Sequence, residues 1–336
     1  MHMPDTRVVK SLIGCLAIAF IGCQQAPSPA ATTAPAPTTA PAKPAASPAA
    51  SPAASPAASP AASPAAKPAA SPSPALAVAS PSPAGGRVVT FDAVDYSYTL
   101  PDTLPAGQVT LVMRNAGKET HHAQLLRLNT GVTIDQFIAA LRQSEVAGLS
   151  LTSLEGGTGA LDPGPGTEEV TLDLKEGNYV VVCFITSPDG IPHVAKGMLK
   201  PLQVTAAPSP GAAPQPAARV TINLKDFAFD TPDTLPSGRT TWRVTNQGPQ
   251  PHELQVAKLA AGKALADITT FFATTPPPGP PPFQSLGGFQ AINANESGFL
   301  TLDLPAGDYA FYCAVPDPST GKRHLEEGML AQVTVR

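Results

Sequence analysis

The sequence predicts an all-β protein: two tandem Greek-key β-sandwich domains, each with one inserted helix, behind a disordered Pro/Ala/Ser stalk. Three observations predict it. Residues 87–336 form an internal repeat. Both copies consist of short runs rich in β-branched and aromatic residues, punctuated by Pro, Gly, Asn and Asp. Between a short apolar leader and the first copy there are almost no large side chains to bury.

The leader is residues 1–23. Arg7 and Lys10 make a short positive region, and Leu12 to Gly22 is uncharged and mostly apolar, too short to span a bilayer as a mature helix. It ends in Phe20-Ile21-Gly22-Cys23, which resembles the lipobox of bacterial lipoproteins, in which a small residue precedes the Cys that becomes the lipidated N-terminus. Leu12-Ile13-Gly14-Cys15 fits the letters better, but only a few apolar residues separate it from Lys10, so Cys23 is the expected lipidation site. Plain secretion and an uncleaved N-terminal anchor are the alternatives. All three put the folded part outside the cytoplasm, in the periplasm or at the cell surface, and the first attaches it to a membrane.

Residues 24–86 collapse to Ala, Pro, Ser and Thr, with repeated Ala-Ala-Ser-Pro units. Such a segment favours extended polyproline II at ~3.1 Å per residue, so its roughly 60 residues reach well over 100 Å. A stalk is expected here. Charged residues are few (14%), the net charge is −4, and no basic run exists to track phosphates, which excludes nucleic acid as a partner.

The repeat is explicit. Asp102-Thr103-Leu104-Pro105 returns as Asp233-Thr234-Leu235-Pro236, an offset of 131, and Asn115 returns as Asn246 at the same offset. Gly177-Asn178-Tyr179 returns as Gly307-Asp308-Tyr309, and Gly197-Met198 as Gly328-Met329. A Pro/Ala linker, 206–218, separates the copies, so the domains are placed at 87–205 and 219–336. Because the linker has no large apolar residue, few contacts are expected across it, and each domain is expected to fold alone.

Strands are expected at Val88 to Phe91, Gln108 to Arg114, Val170 to Leu174 and Tyr179 to Phe184, and in the second copy at Val220 to Leu224, Thr240 to Thr245, Gly298 to Leu304 and Tyr309 to Cys313. Ile134, Phe137, Ile138 and Leu141 recur at helical spacing within Thr133 to Val146, and Leu265 to Phe272 is the shorter counterpart. A Gly/Pro-rich loop follows each helix.

Nearly every soft metal ligand in the folded region falls into one set, His…Cys…His…Met, written twice. His121 pairs with His252, Cys183 with Cys313, His193 with His324 and Met198 with Met329. Two imidazoles and one thiolate with a weak axial thioether make a type 1 copper centre. Gly307-Asp308-Tyr309-Ala310-Phe311-Tyr312-Cys313 resembles the strand that delivers the copper cysteine in the cupredoxin (plastocyanin-like) family, and His193 to Met198 and His324 to Met329 have its His-x4-Met spacing. The resemblance covers both copies. It implies a cupredoxin fold, one or two copper ions held by His121, Cys183, His193, Met198 and by His252, Cys313, His324, Met329, electron transfer, and a redox protein partner. In the first copy His121 and His122 both compete for the first ligand position. His121 is favoured, because His122 stands where the second copy has Glu253.

The chain departs from the family in one respect: nine residues separate Cys183 from His193 and ten separate Cys313 from His324, where familiar members have two to four. The alternative is a copper-free cupredoxin-fold module for a protein or cell-envelope partner, with the cysteines and methionines in the core and the histidines at the surface. A Cys183–Cys313 disulfide is a further option for an exported chain. The histidines that flank the cysteine in multicopper oxidases and related nitrite reductases are absent at Val182, Phe184, Tyr312 and Ala314, so no enzymatic activity is expected.

Overall fold

The computed structural model describes residues 86–207, 214–274 and 279–336. The leader, Cys23, nearly all of the stalk and the middle of the 206–218 linker lie outside the described residues. Among the described residues, no helix is long and apolar enough to cross a membrane.

The first half contains β1 (Arg87–Val94), β2 (Ser97–Tyr98), β3 (Thr103–Pro105), β4 (Gly107–Asn115), β5 (His121–Leu128), α1 (Ile134–Leu141), α2 (Glu145–Leu149), β6 (Thr152–Leu161), β7 (Thr167–Leu174), β8 (Gly177–Val182) and β9 (Leu199–Thr205). The second repeats the order with β10 (Val220–Lys225), β11 (Ala228–Asp230), β12 (Thr234–Leu235), β13 (Gly238–Asn246), β14 (His252–Leu259), α3 (Leu265–Phe272), β15 (Phe283–Ile292), β16 (Ser297–Leu304), β17 (Gly307–Tyr312) and β18 (Leu330–Val335). Alternation does the sorting: Val109, Leu111, Met113 and Asn115 point inward along β4, as Thr240, Trp242, Val244 and Asn246 do along β13. In the second half Trp242 and Phe229 both meet Phe311 in the core, with ring centroids 5.9 and 6.0 Å away.

The two halves are not separate. One sheet runs β11-β10-β13-β16-β7-β4-β1-β2 and the other β12-β18-β17-β14-β15-β6-β5-β8-β9-β3, so each order reads as the same repeat from either end. The joins are antiparallel, with Leu300 opposite Val170 (β16 to β7) and Phe289 opposite Thr158 (β15 to β6). The expectation of few contacts between the halves is therefore corrected. The residues that join them lie in β7 and β16 and in β6 and β15, not near the linker, and β6 and β15 are not legible as β from composition. Gly156, Gly157, Gly159, Gly287 and Gly288 dilute both. They are needed for close approach: a Cβ on Gly157 would strike the Ala123 carbonyl, and one on Gly159 would strike the backbone of Gly288.

Buried groups seal the junction. Glu168 Oε1 accepts from the N–H of Gly159 (2.9 Å) and of Gly288 (2.6 Å). Gln255 Oε1 accepts from Ala160 N (2.8 Å), and Gln124 Nε2 donates to Ala291 O (3.1 Å). Two ion pairs also cross it, Lys175–Glu296 and Arg239–Glu169, both 2.6 Å, but exposed pairs of this kind contribute roughly 0–1 kcal/mol.

The helix in the first half is also corrected. Thr133 and Gln136 form a capping box at the start of α1, as the pattern requires. The helix ends at Leu141, however, and Ser144 Oγ caps a second helix by accepting from Ala147 N (3.0 Å). There are thus two short helices, not one.

Candidate metal centres

Each half gathers one His, one Cys and one His at the same end of its sandwich. His121 opens β5, Cys183 follows β8 by one residue, and His193 opens a 3-10 turn, His193–Lys196. In the second half His252 opens β14, Cys313 follows β17, and His324 opens the turn His324–Glu327. The ligand atoms of each trio lie within 4.8 Å of one another, and all six side chains are fully buried. Nδ1 of His121 is 3.1 Å from Nδ1 of His193, which is 3.4 Å from Cys183 Sγ. The second trio repeats this at 3.0 and 3.4 Å.

The long loops do not separate the ligands, because their extra residues fold away as a small hairpin. Thr186 bridges to Pro192, Ser187 N donates to Ile191 O (3.0 Å), and His193 N donates to Ile185 O (2.8 Å). Pro316 bridges to Arg323 in the same way, and His324 N donates to Val315 O (2.9 Å). The base of each hairpin leaves the second His beside the Cys, with Val194 N and Leu325 N each bonded to the cysteine carbonyl at 2.8 Å. The chain then turns through Gly197 (φ 104°) and Gly328 (φ 116°), a left-handed conformation that favours glycine. This delivers Met198 and Met329, both fully buried, whose carbonyls accept from Cys183 N (3.3 Å) and Cys313 N (3.1 Å).

Electrostatics decide what these trios can hold. Nε2 of His121 meets Asp95 Oδ1 (3.0 Å), Nε2 of His193 meets Glu119 Oε2 (3.0 Å), and Nε2 of His252 meets Asp226 Oδ1 (2.8 Å). Nε2 of His324 meets the amide oxygen of Gln250 (3.2 Å). Burial pushes Asp95 and Glu119 up, but hydrogen bonds more than offset it and keep both below their ordinary range, for Asp95 from backbone N–H groups and His121, for Glu119 from neighbouring side chains, His193 and Tyr96 among them. Each partner is then an acceptor, so each imidazole carries its proton on Nε2. Burial lowers all four histidines, His324 to about 4, so they are neutral near pH 7. Two unprotonated Nδ1 lone pairs therefore face each other at 3.0–3.1 Å in each half. A cation bound between them makes that contact favourable. Burial pushes the Cys183 thiol up to about 12 and Cys313 well above its ordinary value, and a bound cation reverses this, because a coordinating thiol is deprotonated.

Both halves have a cupredoxin-like fold. The donor set is that of a soft, redox-active ion, and the two groups could hold one or two copper ions. Solved structures similar to this chain include auracyanin from Roseiflexus castenholzii (22% identity, covering 36% of this chain and 99% of that one, TM-score 0.25). They also include a multicopper oxidase (14%, 76% and 92%, TM-score 0.25) and a copper nitrite reductase from Nitrosomonas europaea (16%, 74% and 93%, TM-score 0.22). No family model matches the chain, and no curated protein matches it. The expectation that the chain is not an enzyme is corrected by these neighbours, which include enzymes that span most of the cupredoxin-like region. The missing flanking histidines exclude one kind of metal link and not catalysis as such.

The structure also separates His121 from His122. The two adjacent imidazoles leave the strand toward different neighbours, as successive strand side chains do, and a bulge in the β5–β6 pairing falls between His121 and Ala123. His121 enters the trio. His122 Nε2 accepts from Phe184 N (2.6 Å), its Nδ1 lies 2.6 Å from Gln290 Nε2, and burial lowers its pKa to about 3. Glu253, its counterpart, accepts from Ala314 N (2.7 Å). Both line a cavity of about 620 Å³ between the halves. The copper-free alternative placed the histidines at the surface, and all five histidines among the described residues are buried. The two cysteines are free, so the disulfide does not form.

Composition did not reveal Asp95, Glu119, Asp226 and Gln250. The signal was present in the repeat: Asp95 recurs as Asp226 and Glu119 as Gln250 at the same offset of 131 as the ligand histidines.

Proposed function

We propose that this is an exported, lipid-anchored protein with one mononuclear copper ion in each cupredoxin-like half, which exchanges electrons with a redox protein partner. The facing Nδ1 pairs beside a buried cysteine carry the copper reading. Copper supplies one-electron chemistry when bound; the protein's own part is to hold the donors fixed and dry. His121 and His252 are set by strand pairing, the second histidines by the hairpins, and all four Nε2 protons by their acceptors, so little rearrangement accompanies electron movement. Buried Met198 and Met329 would add a thioether donor to each site.

The anchor rests on the leader and Cys23, and the stalk gives the folded region its reach from the membrane. The domain boundaries 87–205 and 219–336 are proposed on the repeat. The test is Cu(II) titration of the full chain. Two equivalents are expected, with an intense thiolate-to-copper charge-transfer band, and Cys183→Ser and Cys313→Ser should each remove one. A folded chain that stays colourless and takes up no copper sinks the proposal.

A further inference from the structure

We propose that the two centres are unequal electron carriers, the first half holding copper at a lower reduction potential than the second, because Glu119 sits on His193 where Gln250 sits on His324. The inference rests on the copper reading above.

The two surroundings correspond position by position. Asp95 and Asp226 hold the first imidazole of each trio at 3.0 and 2.8 Å, so that side is alike. On the second imidazole the acceptor is a carboxylate in one half and an amide in the other. The difference is built in twice. Tyr96 donates its hydroxyl proton to Glu119 Oε1 at 2.8 Å and stands edge-on to His193, with ring centroids 5.3 Å apart. Its counterpart at the same offset is Phe227, which stands edge-on to His324 at 5.4 Å and has no hydroxyl. Both residues hold the same positive φ, 68° and 58°. The backbone is thus conserved between the halves while the hydroxyl that holds the carboxylate is present in only one.

A carboxylate that accepts the Nε2 proton makes the opposite ring nitrogen more basic and favours the more highly charged metal state. An amide does this far less. Other charges do not reverse the order. Each centre has one cation in range, Lys196 acting on His193 and Arg323 on Cys313. Lys196 is largely engaged by Asp189 at 2.8 Å. The second half does have two further carboxylates, but neither bonds to an imidazole: Asp317 lies one group further out, accepting from Gln250 Nε2 at 3.0 Å, and buried Glu253, which acts on Cys313, accepts from Ala314 N at 2.7 Å. What sets the first centre apart is that a carboxylate bonds directly to its second imidazole, whereas the second centre has an amide there.

Spectroelectrochemical titration of the copper-loaded full chain tests this. The Cys313→Ser chain retains only the first centre and the Cys183→Ser chain only the second, and the first is expected to titrate at the lower potential. In the Cys313→Ser background, Glu119→Gln should raise the potential by at least tenfold in the reduction equilibrium, about 59 mV for one electron. Tyr96→Phe should shift it the same way by less. In the Cys183→Ser background, Gln250→Glu should lower it. The wild-type chain, which needs no substitution to fold, should show two separate one-electron steps. Coincident steps, a first centre above the second, or no shift with Glu119→Gln overturns the proposal and leaves the copper reading intact. A chain that binds no copper overturns both.

Discussion

Glu168→Gln tests how the halves are joined. Glu168 is fully buried at the junction, with Oε1 accepting from one N–H in each half and Oε2 without a partner. Burial pushes its carboxyl up to about 8 from 4.5, and the two N–H donors only partly oppose this. Since its folded pKa is raised, the folded chain binds the proton more tightly than the unfolded chain at intermediate pH. Stability is greatest below the unfolded pKa, falls as pH rises through the folded one, and is then level. A shift of about 3.5 units at 1.36 kcal/mol each gives roughly 5 kcal/mol in full, of which ~4 kcal/mol is lost between about pH 5 and pH 9. Gln keeps an oxygen for Gly159 N and Gly288 N and cannot ionise. Glu168→Gln is therefore expected to be within about 1 kcal/mol of wild type at pH 5 and several kcal/mol more stable at pH 9. Denaturant unfolding of both chains across this range measures it, and the difference between them cancels the other titrating groups. Parallel pH profiles would refute the burial argument.

Cleavage within the 206–218 linker should leave the halves associated and unfolding in one transition, because both sheets run through the junction; separation on sizing at moderate salt would contradict this. Phe289→Ala removes a fully buried ring at the β15–β6 join, lodged where Gly156 and Gly298 leave room, and should cost about 3–5 kcal/mol, read as a shift in denaturation midpoint. Cys23→Ala should release the protein from membranes or leave it unprocessed; correct processing with retained membrane binding would show that another feature anchors it.

What the sequence determined is what depends on residue type and spacing. The offset of 131 marks the repeat, β-branched and aromatic runs mark the strands that alternate in burial, and His-x4-Met after a Tyr-rich strand marks the ligands. These are short-range signals, and a side chain's chemistry carries them. Tertiary structure decided the rest, where partners are distant and side chains are small. Strands β6 and β15 carry little strand signal because close approach requires glycine, yet they join the halves in the ten-stranded sheet, as β7 and β16 do in the eight-stranded one. The repeat favours His121, but the partners that hold His122 away from the trio, Phe184 and Gln290, are distant in sequence. The nine and ten residues after the cysteines are long in sequence but short in space, because the bridges Thr186–Pro192 and Pro316–Arg323 close them. The acceptors on the imidazoles come from as far as 74 residues away, as Glu119 reaches His193, and only the folded chain brings a carboxylate to one copper site and an amide to the other.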